Sequence, residues 1–190
     1  ELYTVMMAIY FNMKKPDVCL IEVGIGGRRD CTSVIEGQVA IITTIGLDHS
    51  DKLGNTVEEV AAEKAGLIKA NTQVVTGLIE AGPLQVIEAY AAEMSSEIYR
   101  YQTDFGMEDV LNHLDQGSTF NFWQILSDPN ETQQNNLAIG MLGLHQVQNA
   151  TVALQAFYLW MNYIGQPIDW VVAKPALQQT NWIARMEKIN

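Results

Sequence analysis

Positive charge and cysteine are both scarce in this chain of 190 residues. Eleven Lys+Arg stand against 22 Asp+Glu, a formal net charge of −11 with a pI near 4.5. That balance excludes a uniformly basic nucleic-acid binder, which needs clustered positive charge to replace the counterions of the phosphate backbone. A local cationic pocket for a nucleotide stays open. Two cysteines, Cys19 and Cys31, cannot build a disulfide framework, and Cys19 reads as a small core residue in a reducing compartment. No apolar stretch reaches the roughly 18 residues that span a bilayer. Neither an internal repeat nor a Gly-x-x-x-x-Gly-Lys-Ser/Thr phosphate loop occurs. The opening Glu1-Leu2-Tyr3-Thr4 has no initiator Met and no secretory leader, which suggests a cytoplasmic piece of a longer protein. What is present is ordinary for a globular domain: 48% hydrophobic and 17% charged residues, enough for one full core.

The pattern along the chain predicts an α/β fold, a mostly parallel open sheet flanked by helices, with a small antiparallel β element. Residues 2–13 read as a largely buried helix stopped by Lys14-Lys15-Pro16. Val18–Val23 and Val39–Ile45 are short runs apolar on both faces and closed by glycine, as central parallel strands are, and Gln73–Gly77 is a shorter third. Between the last two, Thr56 followed by Glu59 forms a capping box for a helix to about Ile68, and residues 83–95 suggest another. Beyond Ser95, the segments Glu97–Asp104, Ser118–Gln124 and Asn136–Gly140 alternate polar and apolar, with the turn-prone Asp128-Pro129-Asn130 between two of them, as antiparallel strands do. A long helix is expected from Gln146 to about Tyr163, ending at Gly165, and Pro167 is expected to open a short one. One domain with a β-rich insertion is the simplest reading.

Several residues are placed where chemistry could happen. Glu22 is a carboxylate in an apolar strand just before a glycine turn, costly unless it has a partner or a metal. His49 follows the second strand directly, and ligands of open parallel sheets collect at the carboxyl ends of the strands. A Glu and a His converging there suit a divalent cation that holds phosphate oxygens. A solvent-facing Glu and a surface His are the plain alternatives. The run Val23-Gly-Ile-Gly-Gly-Arg28-Arg29-Asp30 could cradle an anion with backbone N–H groups and guanidinium groups, or simply permit a tight turn. Lys64 falls on the helix face assigned to the core, where burial favours a neutral amine open to covalent chemistry such as carbamylation by CO₂. The plain alternative is a stem lying along apolar neighbours. His145, Gln146 and Asn149 cluster at the start of the long helix, an end that favours anions, or that Asn or His would simply cap.

Together these segments resemble the folylpolyglutamate synthase / dihydrofolate synthase family of the Mur-ligase superfamily. The resemblance is carried by Ile21-Glu-Val-Gly-Ile-Gly-Gly-Arg-Arg-Asp30, Thr44-Ile-Gly-Leu-Asp-His49, Leu53-Gly-Asn-Thr56, Glu63-Lys-Ala-Gly-Leu-Ile-Lys69 and Met141-Leu-Gly-Leu-His-Gln-Val-Gln-Asn-Ala150. It covers roughly residues 1–80 and 136–187, with spacings of 27 and 15 residues between Glu22, His49 and Lys64. It implies the central ATP-binding domain of an ATP-dependent carboxylate–amine ligase. ATP would phosphorylate a carboxylate of folate or dihydropteroate, and the amine of L-glutamate would attack the acyl phosphate. By the same resemblance, Glu22 and His49 would be Mg²⁺ ligands and Lys64 the lysine that relatives carbamylate. His145, Gln146, Asn149 and Arg185 would serve the nucleotide, with Arg185 a hinge arginine, and Asp30 and Arg28 would lie near the substrate. Residues 1–182 would form the central domain and 183–190 the start of a hinge. A phosphate-binding loop is expected to precede residue 1 and a Rossmann-like domain to follow residue 190, so these 190 residues alone should show no ligase turnover. The full-length protein is expected to be a monomer without nucleic-acid or membrane partners.

Two motifs depart from the family. Its Asp-Ala-Thr-Asn reads Asp30-Cys31-Thr32-Ser33, and its Pro-Gly-Arg reads Ile183-Ala184-Arg185. Those changes would also fit a noncatalytic nucleotide-binding domain. A third reading is a Mur-type ligase acting on cell-wall peptide precursors.

Overall fold

A computed structural model describes residues 1–48, 50–125 and 133–182, apart from the side chains of Ser50 and Asp51. Its contacts divide the chain into two compact units. The first comprises Glu1–Gly37, Ile45–Thr72 and Glu80–Ser96; the second comprises Gln38–Thr44, Gln73–Ile79 and the chain from Glu97 onward. Three parallel strands, crossover helices and a separate antiparallel sheet make the architecture α/β. No helix among the described residues is long and apolar enough to cross a membrane.

The first unit is helical. Helix α1 (Leu2–Lys14) ends where Lys15 turns left-handed, with φ 48°. The helix is where its pattern placed it, but none of its residues is buried. The Val18–Val23 run is not a strand; Leu20 is 89% exposed, and Cys19, expected in the core, is exposed too. An apolar run alone does not make a strand: a strand also needs a neighbour to accept its hydrogen bonds, and none of the described strands pairs with this one. After a glycine-rich loop and a 3-10 turn at Cys31–Val34 comes the four-residue α2 (Ser50–Leu53). Helix α3 (Val57–Ala65) begins at Thr56, whose hydroxyl accepts the Glu59 N–H while the Glu59 carboxylate accepts the N–H groups of Asn55 and Thr56. That reciprocal closure is the capping box expected from the sequence. Helix α4 (Ala81–Glu93) packs against α3, and Val60, Ala61, Ala65, Ile87 and Ala91 are buried.

The second unit holds both sheets. Strands β1 (Val39–Ile42), β2 (Gln73–Thr76) and β3 (Ile98–Arg100) lie side by side in that order, all parallel. Parallel neighbours require crossovers, and here α3 and α4 occupy the two intervening stretches of chain. The alternating segment at Glu97 therefore belongs to the parallel sheet, a correction. Its alternation reflects an edge position, with half-buried residues throughout, and not antiparallel pairing. The chain then turns at a bidentate Arg100–Asp104 pair, Nε to Oδ2 at 2.7 Å and Nη2 to Oδ1 at 3.1 Å.

Strands β4 (Phe105–His113), β5 (Gly117–Gln124) and β6 (Gln133–Ile139) form the antiparallel sheet. Ser118, Phe120, Phe122 and Gln124 face inward at period two. The predicted turn at Asp128–Asn130 lies outside the described residues. Helix α5 (Leu144–Tyr163) packs on strands of both sheets, and its Val147 and Leu159 join Val75, Phe105, Phe120 and Leu137 in one core cluster. Each such fully buried side chain contributes roughly 1.5–3 kcal/mol. Helix α6 (Trp170–Gln179) packs on β6. It starts three residues later than Pro167 suggested, because the Asp169 carboxylate caps it by accepting the Val171 N–H.

Candidate functional site

In the first unit, Arg28, Asp30 and Lys64 belong to one junction, where the Gly24–Asp30 loop lies on the last turn of α3. A helix leaves its last carbonyls without intrahelical partners, and here the loop supplies one. The Arg28 N–H donates to the Glu63 carbonyl at 2.9 Å, while the Lys64 and Ala65 carbonyls accept from Leu67 and Ile68. The Glu63 side chain turns back and accepts the Arg29 N–H through Oε1 at 3.1 Å. So close an approach leaves no room for a side chain at Gly27. A Cβ on Gly27 would sit 2.6 Å from the Lys64 carbonyl oxygen and 2.8 Å from that of Glu63.

Asp30 closes the loop from within. Its Oδ2 accepts the N–H groups of Gly24 (3.1 Å) and Ile25 (3.2 Å), and its Oδ1 accepts the N–H and hydroxyl of Thr32 at 2.8 and 2.6 Å. The glycine loop thus has its anion built in: a carboxylate of this chain occupies the N–H groups that the sequence suggested for an external one. Burial raises the Asp30 pKa, but the bonds from Thr32, Ile25 and Gly24 outweigh it and hold the carboxyl below its usual value. The folded pKa lies below the unfolded one, so this stabilisation is present above the unfolded value of about 3.8 and fades as pH falls through the folded value. Asp30→Ala is expected to cost about 1–3 kcal/mol near neutral pH. The gap to wild type should narrow below about pH 4, which urea denaturation at the two pH values measures.

The other candidates of this unit are placed as follows. Glu22 is exposed two residues before Gly24 and makes no hydrogen bond or ion pair among the described residues. Lys64 is half-buried in the last turn of α3, neither sunk in the core nor free in solvent. The Arg28 guanidinium lies over the Tyr90 ring of α4, 5.6 Å from its centroid, a cation–π contact that takes its charge toward α4. In the altered Asp30-Cys31-Thr32-Ser33 motif, Cys31 Sγ meets the Thr4 hydroxyl at 2.8 Å and the Ser33 hydroxyl donates to the Arg28 carbonyl. His49 lies outside the described residues, and among those described no group of three or more His, Cys, Asp or Glu could hold a metal ion. Mg²⁺ asks for less than such a cage, since it is commonly held by one or two carboxylates with waters and substrate phosphates completing the shell. The uncommitted carboxylate of Glu22 fits that demand.

In the second unit the start of α5 gathers three candidates. Gly143 is the N-cap and provides no side-chain cap, so neither Asn149 nor His145 caps the helix as the plain reading had it. Gly143 has φ +100°, and a Cβ there would lie 2.6 Å from His145 Cε1; the imidazole folds back over the cap in space only glycine leaves. Gln146 is 5% exposed, and its Oε1 accepts the Asn149 Nδ2–H at 3.3 Å. A first turn without a side-chain cap, next to an imidazole, suits an anion. Arg185 lies outside the described residues. The residue missed at the sequence level is Glu63: its signal was its place beside Lys64 in a motif already noticed.

The chain is similar over its whole length to known proteins. The curated folylpolyglutamate synthase of Lacticaseibacillus casei is 31% identical over 190 residues, all of this chain and 43% of that protein. The dihydrofolate synthase/folylpolyglutamate synthase of Bacillus subtilis is 35% identical over 191 residues, again covering 100% of this chain and 43% of the relative. The chain thus spans under half the length of the curated relatives it matches. A solved structure described as an FPGS-AMPPCP-folate complex superposes with a TM-score of 0.92 at 31% identity, over 99% of this chain and 44% of that one. The Mur ligase middle domain model matches residues 4–157, most of the chain, and so the chain belongs to the Mur ligase middle-domain family.

Proposed function

We propose that the protein is an ATP-dependent ligase that adds L-glutamate to a folate through an acyl phosphate, with this chain as its central nucleotide-handling domain. One observation carries the reading: the chain aligns along its whole length, at 31% identity and a TM-score of 0.92, with a synthase solved with an ATP analogue and folate. The dihydrofolate synthase activity in the name of the Bacillus subtilis relative favours a second substrate, dihydropteroate, for the same site.

In this reading Glu22 and His49 would hold Mg²⁺. The ion would neutralise charge on the transferring phosphoryl oxygens. The chain's own groups do the rest. Lys64, once carbamylated, would add an anionic group beside Glu63. The loop–helix junction keeps Lys64 and the end of the Glu22 segment in one assembly, so neither must reorganise as charge develops. His145, Gln146 and Asn149 at the open start of α5 would meet the nucleotide, with Arg185 reaching its phosphates. Arg28 and Asp30 would border the substrate, with Asp30 acting by shaping the loop. The protein would work as a cytoplasmic monomer without nucleic-acid partners.

The test is ADP release by the protein that carries this chain. Release is expected only when L-glutamate is present together with a folate or dihydropteroate. Turnover on a cell-wall peptide precursor in place of folate would move the assignment to another Mur-type ligase. Nucleotide binding without any turnover would make it a binding domain.

A further inference from the structure

We propose that Glu63 is a positioning residue: its side chain latches the Gly24–Asp30 loop to the end of α3 and so sets where Glu22 stands relative to Lys64. What Glu22 and Lys64 do there rests on the ligase reading; the latch itself does not. Glu63 holds two successive backbone N–H groups by two different atoms, Arg28 through its carbonyl and Arg29 through Oε1. Its Cγ lies against Gly26, where an added Cβ would come to 3.0 Å. One of its two carboxylate oxygens is therefore committed to the backbone in this arrangement. Lys64 follows directly on the helix, and Glu22 is separated from the latched loop by Val23 alone. A displacement of the loop would consequently change the Glu22–Lys64 geometry, while a displacement of α3 would carry the loop with it.

The backbone carbonyl contact survives any substitution at residue 63, whereas the side-chain contact does not, so variants isolate the latch. Glu63→Ala removes the acceptor. Glu63→Gln keeps a carbonyl oxygen at the same reach. Glu63→Asp keeps the charge but is one methylene short.

Two measurements on the protein that carries this chain read the effect without requiring turnover. Amide hydrogen exchange reports the Arg29 N–H, and electron paramagnetic resonance titration with Mn²⁺ in the presence of ATP reports the metal site. Arg29 exchange is expected to accelerate about tenfold in Glu63→Ala. Mn²⁺ affinity should weaken on the order of tenfold, as loss of a group supporting a metal ligand typically does. Glu63→Asp should follow Glu63→Ala, and it decides the matter should the alanine variant not fold; Glu63→Gln should stay near wild type in both. Unchanged Arg29 exchange in the alanine and aspartate variants overturns the latch. Accelerated exchange with unchanged Mn²⁺ affinity, or a glutamine variant as impaired as alanine, overturns the positioning role. A wild-type protein without folate- and glutamate-dependent ADP release would refute the ligase reading and leave both measurements readable.

Discussion

Replacing Glu22 with Gln is expected to lower the proposed ligase turnover by about 10²- to 10³-fold while leaving the melting temperature essentially unchanged. The two halves of that expectation come from the same observation. Glu22 is exposed and bonded to nothing else among the described residues, so folding draws little from it, and a surface substitution away from packed or bonded features costs within about 0.5 kcal/mol. A carboxylate left uncommitted beside that loop has its charge available for a cation. Glutamine keeps the shape and removes that charge. The loss anticipated is that of one preorganised electrostatic contact in a transition state that builds charge. Steady-state kinetics across a Mg²⁺ titration, paired with thermal unfolding, reads both quantities. Turnover within threefold of wild type would remove Glu22 from the proposed metal site.

Gly27→Val should do the opposite and damage the fold first. The atoms a new Cβ would strike are backbone carbonyls of Lys64 and Glu63, at 2.6 and 2.8 Å, and backbone cannot swing aside as a side chain would. The contact is reciprocal: on the helix side, a Cβ at Gly66 would overlap Arg28 Cβ. Forcing bulk into such a contact costs about 1–3 kcal/mol, or roughly 2–4 °C in melting temperature for each kcal/mol in a chain of this size. Because the loop must lift from α3 to accept the valine, Arg28 and Arg29 lose their acceptors, and turnover should fall along with stability. Thermal unfolding and amide exchange at the two arginines measure this. Wild-type exchange in a destabilised Gly27→Val protein would show that the strain is absorbed elsewhere.

What could be read from the sequence was what is decided within a few residues. The Thr56/Glu59 capping box was legible because donor and acceptor lie three positions apart, and β5 because its inward face repeats every second residue. Strand β4 was not. Its pairing with β5 shifts between Glu108 and Leu111, where Asp109 takes φ 51°, and that bulge breaks the alternation that would have marked it. The Val18–Val23 run and α1 show the converse failure: apolar composition specifies what a segment would bury, not what covers it. The candidate residues themselves stand out through motif spacing. The Glu63–Arg29 bond could not be, since it joins a side chain to a backbone N–H 34 residues away, and backbone amides leave no mark in residue type.

Helix α3 is closed at both termini, by Thr56 with Glu59 at one and by the Arg28 amide at the other. Nine residues rise about 13 Å, and short helices of that size ordinarily fray at each end. Here neither end has slack, which makes the segment intolerant of a change in register. One inserted residue would swing everything beyond it by about 100° around the axis, turning Glu63 from the loop and bringing a neighbour's side chain in its place. Length variation among proteins built on this plan should therefore accumulate in the connections on either side of the rod and spare the rod itself.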